Sequence, residues 1–183
     1  MNKTMNLQMF AGAPLEAVQG KQIVYLFRPI SQAAKAAATL MAFSTEGERT
    51  KTKEADSTAT KSGSIRTPGV AEVEISCSAV VYKGDKLAKA LEKAMDDDEI
   101  VECWEVNLAE ETSQHSGKFA ATYFQGYITE ITLTSSAEDM AEYSITYAAN
   151  GNGATGEATV SAEQQEMANY VFKDVTKESP EAA

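Results

Sequence analysis

Three glycines and a lone histidine come nearest to a chemical motif in this sequence. Gly151, Gly153 and Gly156 have the spacing of a dinucleotide-binding loop. Such a loop must open a helix within a βαβ unit, but here Glu-Ala-Thr-Val follows, which is typical of a strand. His115 lies in a polar segment without the partner groups that nucleophilic catalysis needs. We therefore interpret the glycines as turns and His115 as a solvated loop residue, and we predict that the protein is not an enzyme.

Carboxylates and thiols are the remaining candidates for chemistry. The run Asp96–Glu99 offers oxygen ligands for a hard cation, but it lacks the glycine and the alternating spacing of a calcium loop. A solvated acidic patch is the better interpretation. Cys77 and Cys103 have no CxxC partner, and both lie in predicted strands, which favours small core residues in a reducing compartment. We predict no metal and no cofactor.

Charge restricts the partners that this chain can have. Its 183 residues include 16 Lys and Arg against 27 Asp and Glu, a net charge of −11. This argues against specific binding of nucleic acid and against an anionic membrane surface. Residues 1–69 carry +4 and residues 70–183 carry −15. Such polarity suits attraction between two copies of the chain, although acidic residues also serve simply to keep a protein soluble.

The elements that must position these residues are mostly strands. In the segment Val70–Tyr82, Val73, Ile75, Cys77, Ala79 and Val81 alternate with polar residues, which predicts a strand with one buried face. Gly126 lies within a long predicted strand, where a glycine usually marks a bulge or bend. The other predicted strands are Gln22–Arg28, Ala36–Phe43, Ile100–Leu108, Phe119–Thr134, Glu142–Ala149 and Glu157–Val160.

One helix is well supported by the pattern. Asp85 is the expected N-cap, and the apolar positions that follow it have helical spacing and form one stripe: Leu87, Ala90, Leu91, Ala94 and Met95. We expect this stripe to pack on the strand face that holds Val73 and Ile75. A second, shorter helix is predicted from Ser161, where Ser161 and Gln164 fit a capping box and Met167 with Val171 form an apolar pair.

Three segments have little apolar content of their own. Ser44–Gly69 has Ile65 as its one sizeable aliphatic residue, which predicts an exposed hairpin that becomes ordered on a partner. Residues 1–19 and 175–183 are predicted to be an N-terminal arm and a C-terminal tail. Residues 20–174 then form a single β domain.

The order of several short motifs resembles the major tail proteins, or tail tube proteins, of bacteriophages with long non-contractile tails that infect Gram-positive bacteria. The resemblance extends from about Gly20 to Asp174. It rests on Gly20-Lys21, Leu26-Phe27-Arg28, Lys61-Ser-Gly-Ser-Ile-Arg-Thr67-Pro68-Gly69, Lys83-Gly84-Asp85, Glu102-Cys-Trp104-Glu105-Val106, Ala121-Thr-Tyr123-Phe124-Gln125-Gly126-Tyr127-Ile128-Thr129, Ala137-Glu138-Asp139 and Tyr170-Val-Phe172-Lys173-Asp174.

This resemblance implies a mainly β fold: two packed antiparallel sheets, a β-sandwich or barrel, flanked by one α-helix, with a long extended loop and terminal arms. It also implies a structural protein of the virion tail, assembled in the host cytoplasm. Hexameric rings would stack head-to-tail into a tube that conducts the genome, with a tape measure protein, a tail terminator and baseplate-proximal tail proteins as further partners. Double-stranded DNA would pass without specific binding, and no membrane is involved.

The same resemblance suggests which residues serve assembly. Family members join ring to ring through a long loop and terminal arms, which makes the cations of Ser44–Gly69 candidates for the inter-ring contact: Arg49, Lys51, Lys53, Lys61 and Arg66. An acidic bore would repel phosphates, and the candidates for lining it are Glu72, Glu74, Asp96, Asp97, Asp98 and Glu99. The alternative function is a non-enzymatic β-sandwich of a virion that binds a receptor or a carbohydrate.

Overall fold

The computed structural model describes residues 17–112 and 117–168, except for the side chains of 166–168. The described residues form eight strands and two α-helices. The strands are β1 (Ile23–Pro29), β2 (Thr39–Leu40), β3 (Ser44–Thr60), β4 (Gly63–Val80), β5 (Val101–Glu111), β6 (Lys118–Thr134), β7 (Glu142–Ala149) and β8 (Ala154–Thr159), and the helices are α1 (Lys86–Asp96) and α2 (Ala162–Ala168). His115, residues 1–16 of the predicted arm and the predicted tail lie outside the described residues.

All eight strands belong to one antiparallel sheet. Its order is β2-β1-β5-β6-β7-β4-β3, and β8 adds to β6. β6 is shared by the two halves of this sheet: residues 118–126 of β6 pair with β5 and with β8, whereas 126–134 pair with β7. Gly126 is the crossing point, because it is opposite both Val101 and Ala149.

The sheet curls so that its two halves pack face to face. Phe27 of β1 and Tyr147 of β7 are separated by two strands in the sheet order, yet their rings pack edge to face with centroids 6.1 Å apart. Arg49 of β3 likewise reaches Glu105 of β5, with Nε 2.8 Å from Oε2. The mainly β fold is therefore confirmed, and the two predicted layers are the halves of one continuous sheet.

Apolar side chains fill both sides of the β1–β5 half. The main core lies between the halves and includes Phe27, Ile75, Leu91, Val101, Cys103, Phe124, Ile145 and Tyr147. A second cluster covers the other face of β1, β5 and β6 and includes Val24, Leu26, Leu40, Val106, Phe119 and Val160. Apolar clusters thus pack against both faces of β1, which explains its nearly continuous apolar run.

Helix α1 begins where the sequence predicts. The Asp85 Oδ1 atom accepts hydrogen bonds from the backbone N–H groups of Leu87 at 2.9 Å and Ala88 at 3.1 Å. Leu87, Leu91 and Ala94 are buried in the same cluster as Val73 and Ile75. The stripe is narrower than predicted, because Met95 lies in the last turn and is 37% exposed.

The β4 strand also ends sooner than the alternating pattern suggests. The alternation places Val81 on the buried face, but Val81 follows the last residue of β4 and is 41% exposed.

The segment 36–43 does not form the strand that its apolar run predicts. Only Thr39 and Leu40 pair with β1, opposite Phe27 and Leu26. The preceding residues Ile30–Gln32 form a 3-10 turn, and Phe43 adopts a left-handed backbone conformation with φ of 54°. Because the chain turns before and after this segment, only two of its residues can pair as a strand.

The glycines have the local roles of turns and close contacts. Gly151 and Gly153 have φ of 78° and 75° in the turn between β7 and β8, so the turn interpretation is confirmed for these two. Gly156 instead lies within β8. A Cβ at Gly126 would clash with the Ala148 carbonyl oxygen, so the close approach of the two backbones requires a glycine here. The bulge that the sequence predicts at Gly126 lies further along β6, where the register shifts between Ile128 and Glu130.

Candidate assembly surfaces

The β3–β4 hairpin is the most prominent feature outside the core. Its strands pair from Ser44 opposite Ala79 to Thr60 opposite Gly63, and every residue of β3 is exposed. Lys61 and Ser62 form the turn, and Gly63 has φ of 137°. The segment Ser44–Gly69 is therefore an extended hairpin held by backbone pairing, without an apolar core of its own.

The root of this hairpin has two chemically different faces. Residues directly opposite each other in an antiparallel pair share a face. Arg49, Lys51 and Lys53 are opposite Ile75, Val73 and Ala71, on the core side. On the other side, Thr50 and Thr52 are opposite Glu74 and Glu72. Arg49, Lys51 and Lys53 thus point to the side of the sheet opposite to Glu72 and Glu74.

The acidic side continues across four strands, and we call it the polar face. Its residues follow from the strand register, and within the described part of the chain they include six Glu and no Lys or Arg. They are Glu46, Glu48, Thr50 and Thr52 of β3, Glu72, Glu74, Ser76 and Ser78 of β4, Glu142, Ser144, Thr146 and Ala148 of β7, and Tyr127, Glu130, Thr132 and Thr134 of β6. The Ser78 and Ser144 hydroxyl oxygens lie 2.8 Å apart in a hydrogen bond across it.

The second predicted acidic group lies elsewhere. Asp96, Asp97 and Asp98 are exposed at the end of α1, where Lys93 pairs with Asp97. The Glu99 Oε1 atom accepts a hydrogen bond from the Ser31 N–H at 2.7 Å. Because α1 packs on the core side of the sheet, this group and the polar face do not share one surface.

Arg49 differs from the other hairpin cations because it is paired within the subunit. Glu105 accepts from Arg49 and also from the Tyr25 hydroxyl, with an O–O distance of 3.2 Å. Burial and the Glu105 carboxylate raise the Tyr25 pKa, so the phenol stays protonated and able to donate. This pair links β3 to β5. Lys51, Lys53, Lys61 and Arg66 make no ion pair with any described residue.

The sequence did not predict a polar cluster that lies on the face of β1 and β5 turned away from the main core. Arg28 binds Glu102 with Nε and the Nη2 atom each 2.8 Å from Oε2, and the Tyr123 hydroxyl donates to the other Glu102 oxygen at 2.7 Å. The guanidinium lies 5.1 Å from the Trp104 ring centroid and donates to the Ala36 carbonyl at 3.2 Å. An arginine within the apolar run of β1 was the available signal, but its partner is 74 residues away.

The thiols are poorly suited to chemistry. Cys77 and Cys103 are unpaired and buried in the main core. Burial raises the pKa of Cys77 to about 12 and also raises the pKa of Cys103, so few thiolates exist at neutral pH. Their predicted role as core residues is confirmed.

The described residues contain no cluster of three or more His, Cys, Asp or Glu side chains suited to a metal ion. Within the same ranges, no helix has the length and apolar content to cross a membrane. A groove of about 730 Å³ lies between β1 and β3, where Arg49 and Glu105 neutralise each other in its wall.

Two strand edges along the polar face have no pairing partner within the described chain. β3 is the last strand of the sheet, and its outer edge is unpaired from Ser44 to Thr60. On the opposite side, residues 127–134 of β6 pair with β7 alone. Unpaired N–H and C=O groups along an edge readily pair with another chain. The polar face is therefore bounded by two edges able to extend it.

Comparison with known proteins agrees with this architecture. The family model described as "Phage tail tube protein" matches residues 17–155. A protein named as a tail protein in Staphylococcus phage phiMR25 is 32% identical over 158 residues, which is 84% of this chain and 81% of the phage protein.

Solved structures share the fold at lower identity. The SPP1 tail tube protein superposes with a TM-score of 0.68 at 22% identity, over 90% of this chain and 98% of that one. The tail of a gene transfer agent particle, determined with C6 symmetry, gives a TM-score of 0.57 at 16% identity, over 79% of this chain and all of that one. This chain belongs to the phage tail tube protein family and is a structural component of the virion tail.

Proposed function

We propose that the chain assembles into hexameric rings that stack head-to-tail, and that DNA passes through the bore of the resulting tube. The observation that carries this proposal is the polar face, a four-stranded surface on which the described residues include no Lys or Arg and whose two edges pair with no further described strand. Pairing of the β3 edge of one copy with the β6 edge of the next would join such faces side by side. The C6 symmetry of the gene transfer agent tail supports six copies in a ring.

A wall of this composition suits the passage of DNA. Hydroxyl and carboxylate groups offer phosphates no cation to bind, and the carboxylates repel them. Glu72 and Glu74 lie on this surface, so we assign them to the bore. Asp96–Glu99 lie on the core side at the end of α1, and we assign them to the outside of the tube.

The hairpin supplies the contact between rings in this proposal. Lys51, Lys53, Lys61 and Arg66 of the hairpin make no ion pair with any described residue, and every residue of β3 is exposed. The charges of +4 and −15 on the two parts of the chain suit a head-to-tail contact, which generates open filaments. The tape measure, tail terminator and baseplate-proximal proteins are the proposed partners at the ends of the tube.

Electron microscopy of the purified, concentrated protein tests the proposal. We expect negatively stained tubes whose end-on views average with six-fold symmetry. Monomers that form neither rings nor tubes at high concentration, and that instead bind a glycan or a cell-surface receptor, would favour the alternative of a virion binding module.

A further inference from the structure

One end of the sheet carries an exposed apolar surface that no other described residue covers. We call it the rim. It comprises Phe43, Val81, Tyr82, Leu133 and Met140, which are 66%, 41%, 36%, 62% and 78% exposed. The residues lie at the same end of neighbouring strands, because the Val80 N–H donates to the Phe43 carbonyl, the Val81 N–H donates to the Ala141 carbonyl, and Leu133 is opposite Tyr143.

Phe43 is the most unusual residue of the rim. Its φ of 54° lies in the left-handed region, which a bulky residue rarely adopts and which glycine or asparagine would occupy with less strain. Its ring contacts Tyr82, with centroids 5.8 Å apart, and otherwise remains largely in solvent. A strained backbone that presents an uncovered aromatic ring favours a contact outside the subunit.

The rim lies at the C-terminal end of β4, and the hairpin tip, residues 57–69, lies at the other end of this strand. β4 runs 18 residues from Gly63 to Val80, a span of about 60 Å at roughly 3.3 Å per residue. A filament with one repeated heterologous contact must join two different surfaces of the subunit. The tip and the rim are such a pair.

Charge and apolarity match between these two surfaces. The tip contains Lys61 and Arg66 without a carboxylate, together with Ile65, which is 61% exposed. The rim segment from Leu133 to Glu142 contains three carboxylates and no Lys or Arg. Next to Tyr82, the charges of Lys83 and Asp85 offset each other.

We propose that the rim of one copy receives the hairpin tip of a second copy. Ile65 of the tip packs against the apolar rim, and Lys61 and Arg66 lie beside Glu138 and Asp139. The contact rests on the proposed function, since it requires that the chain self-assembles, and it specifies which surface the hairpin binds.

Disulfide cross-linking in assembled protein tests this contact. The chain carrying both Ile65→Cys and Met140→Cys should form a ladder of covalent oligomers on oxidation, because each copy links to the next. Either single variant should form no ladder. The buried native thiols Cys77 and Cys103 leave the engineered ones to react. The control pairs Ile65→Cys with Ala154→Cys, an exposed residue of β8 away from the rim, and should give no ladder.

A charge swap provides an independent test. Lys61→Glu with Arg66→Glu should abolish tube formation, and adding Glu138→Lys with Asp139→Lys should restore it. In addition, Phe43→Asn should leave the monomer at least as stable in urea while raising the protein concentration needed for tubes about tenfold or more.

The outcomes separate the two proposals. The tip–rim contact would be overturned by any of three results: tubes in which the Ile65→Cys, Met140→Cys chain forms no ladder, a control pair that forms an equal ladder, or swapped charges that do not restore tubes. Each of these results would leave the proposed function standing. Absence of tubes from the unsubstituted chain would overturn the proposed function and this contact with it.

Discussion

At the residue scale, Arg28 holds the segment after β1 against the sheet by binding Glu102 and the Ala36 carbonyl. Glu102 is 8% exposed, so removal of the guanidinium leaves a nearly buried carboxylate without its counter-ion. We expect Arg28→Met to lower the free energy of unfolding by about 3 kcal/mol. Urea unfolding measures this value. The double variant with Glu102→Gln should recover part of the loss, whereas a loss below about 1 kcal/mol for Arg28→Met would contradict the prediction.

Buried acids determine how the fold responds to alkaline pH. Burial raises the pKa of Cys77 to about 12 and also raises that of Tyr147, so both stay protonated in the folded state. In the unfolded chain these groups ionise near pH 9 to 10, at about their ordinary values. Above that pH the unfolded state binds fewer protons, so stability falls as pH rises.

We therefore expect the melting temperature to be steady between pH 7 and 8 and to decline from about pH 9 upward. Scanning calorimetry across this range measures it. Cys77→Ala should show a shallower decline than the parent chain, because it removes one of the buried acids. A melting temperature that rose between pH 9 and 11 would refute this account.

At the element scale, α1 is a packing helix whose buried stripe covers the main core. Leu91 is fully buried in the middle of this stripe. Leu91→Ala should cost about 2–5 kcal/mol in the free energy of unfolding, because it leaves a cavity. Met95→Ala is the matched control on the same helix, and it should cost less than about 1 kcal/mol since Met95 is partly exposed. A Leu91→Ala chain that melted like the parent yet formed no tubes would assign this helix face to an interface between subunits.

The hairpin is an element whose removal should separate folding from assembly. Lys51 and Lys53 pair with β4 near the core, so a clean truncation lies further out, where Asp56 is opposite Thr67. We expect replacement of residues 57–66 by Asn-Gly, a favoured two-residue turn, to leave a monomer with nearly unchanged stability that no longer forms tubes. Circular dichroism melting and electron microscopy measure the two properties. Normal tubes from the truncated chain would show that the tip is dispensable.

The sequence predicts elements whose pattern is local. The alternation of apolar and polar residues predicts which side of β4 faces the core, and Asp85 predicts the start of α1. The scarcity of apolar residues in Ser44–Gly69 predicts the exposed hairpin. Contacts between distant segments were not accessible, because the Arg28–Glu102 and Arg49–Glu105 pairs depend on how the sheet curls. The register of β3 and β4 also decides that Lys51 and Glu72 point to opposite sides, which composition alone does not reveal.

At the scale of the whole molecule, the sheet separates the two acidic groups and makes the bore assignment testable. We expect tubes of the Glu72→Lys, Glu74→Lys variant to bind short duplex DNA, with binding that weakens as salt rises. Because this DNA would lie inside the bore, it should be protected from nuclease. Tubes of the parent chain should bind little.

The matched control carries the same charge change on the other side of the sheet. Tubes with Asp96→Lys and Asp97→Lys should remain assembled, since cations suit the C-terminal end of a helix. DNA that binds these tubes should lie on the outside and stay sensitive to nuclease. The opposite pattern, with protection by the Asp96 and Asp97 variant alone, would mean that the end of α1 faces the bore and that the polar face of the sheet does not.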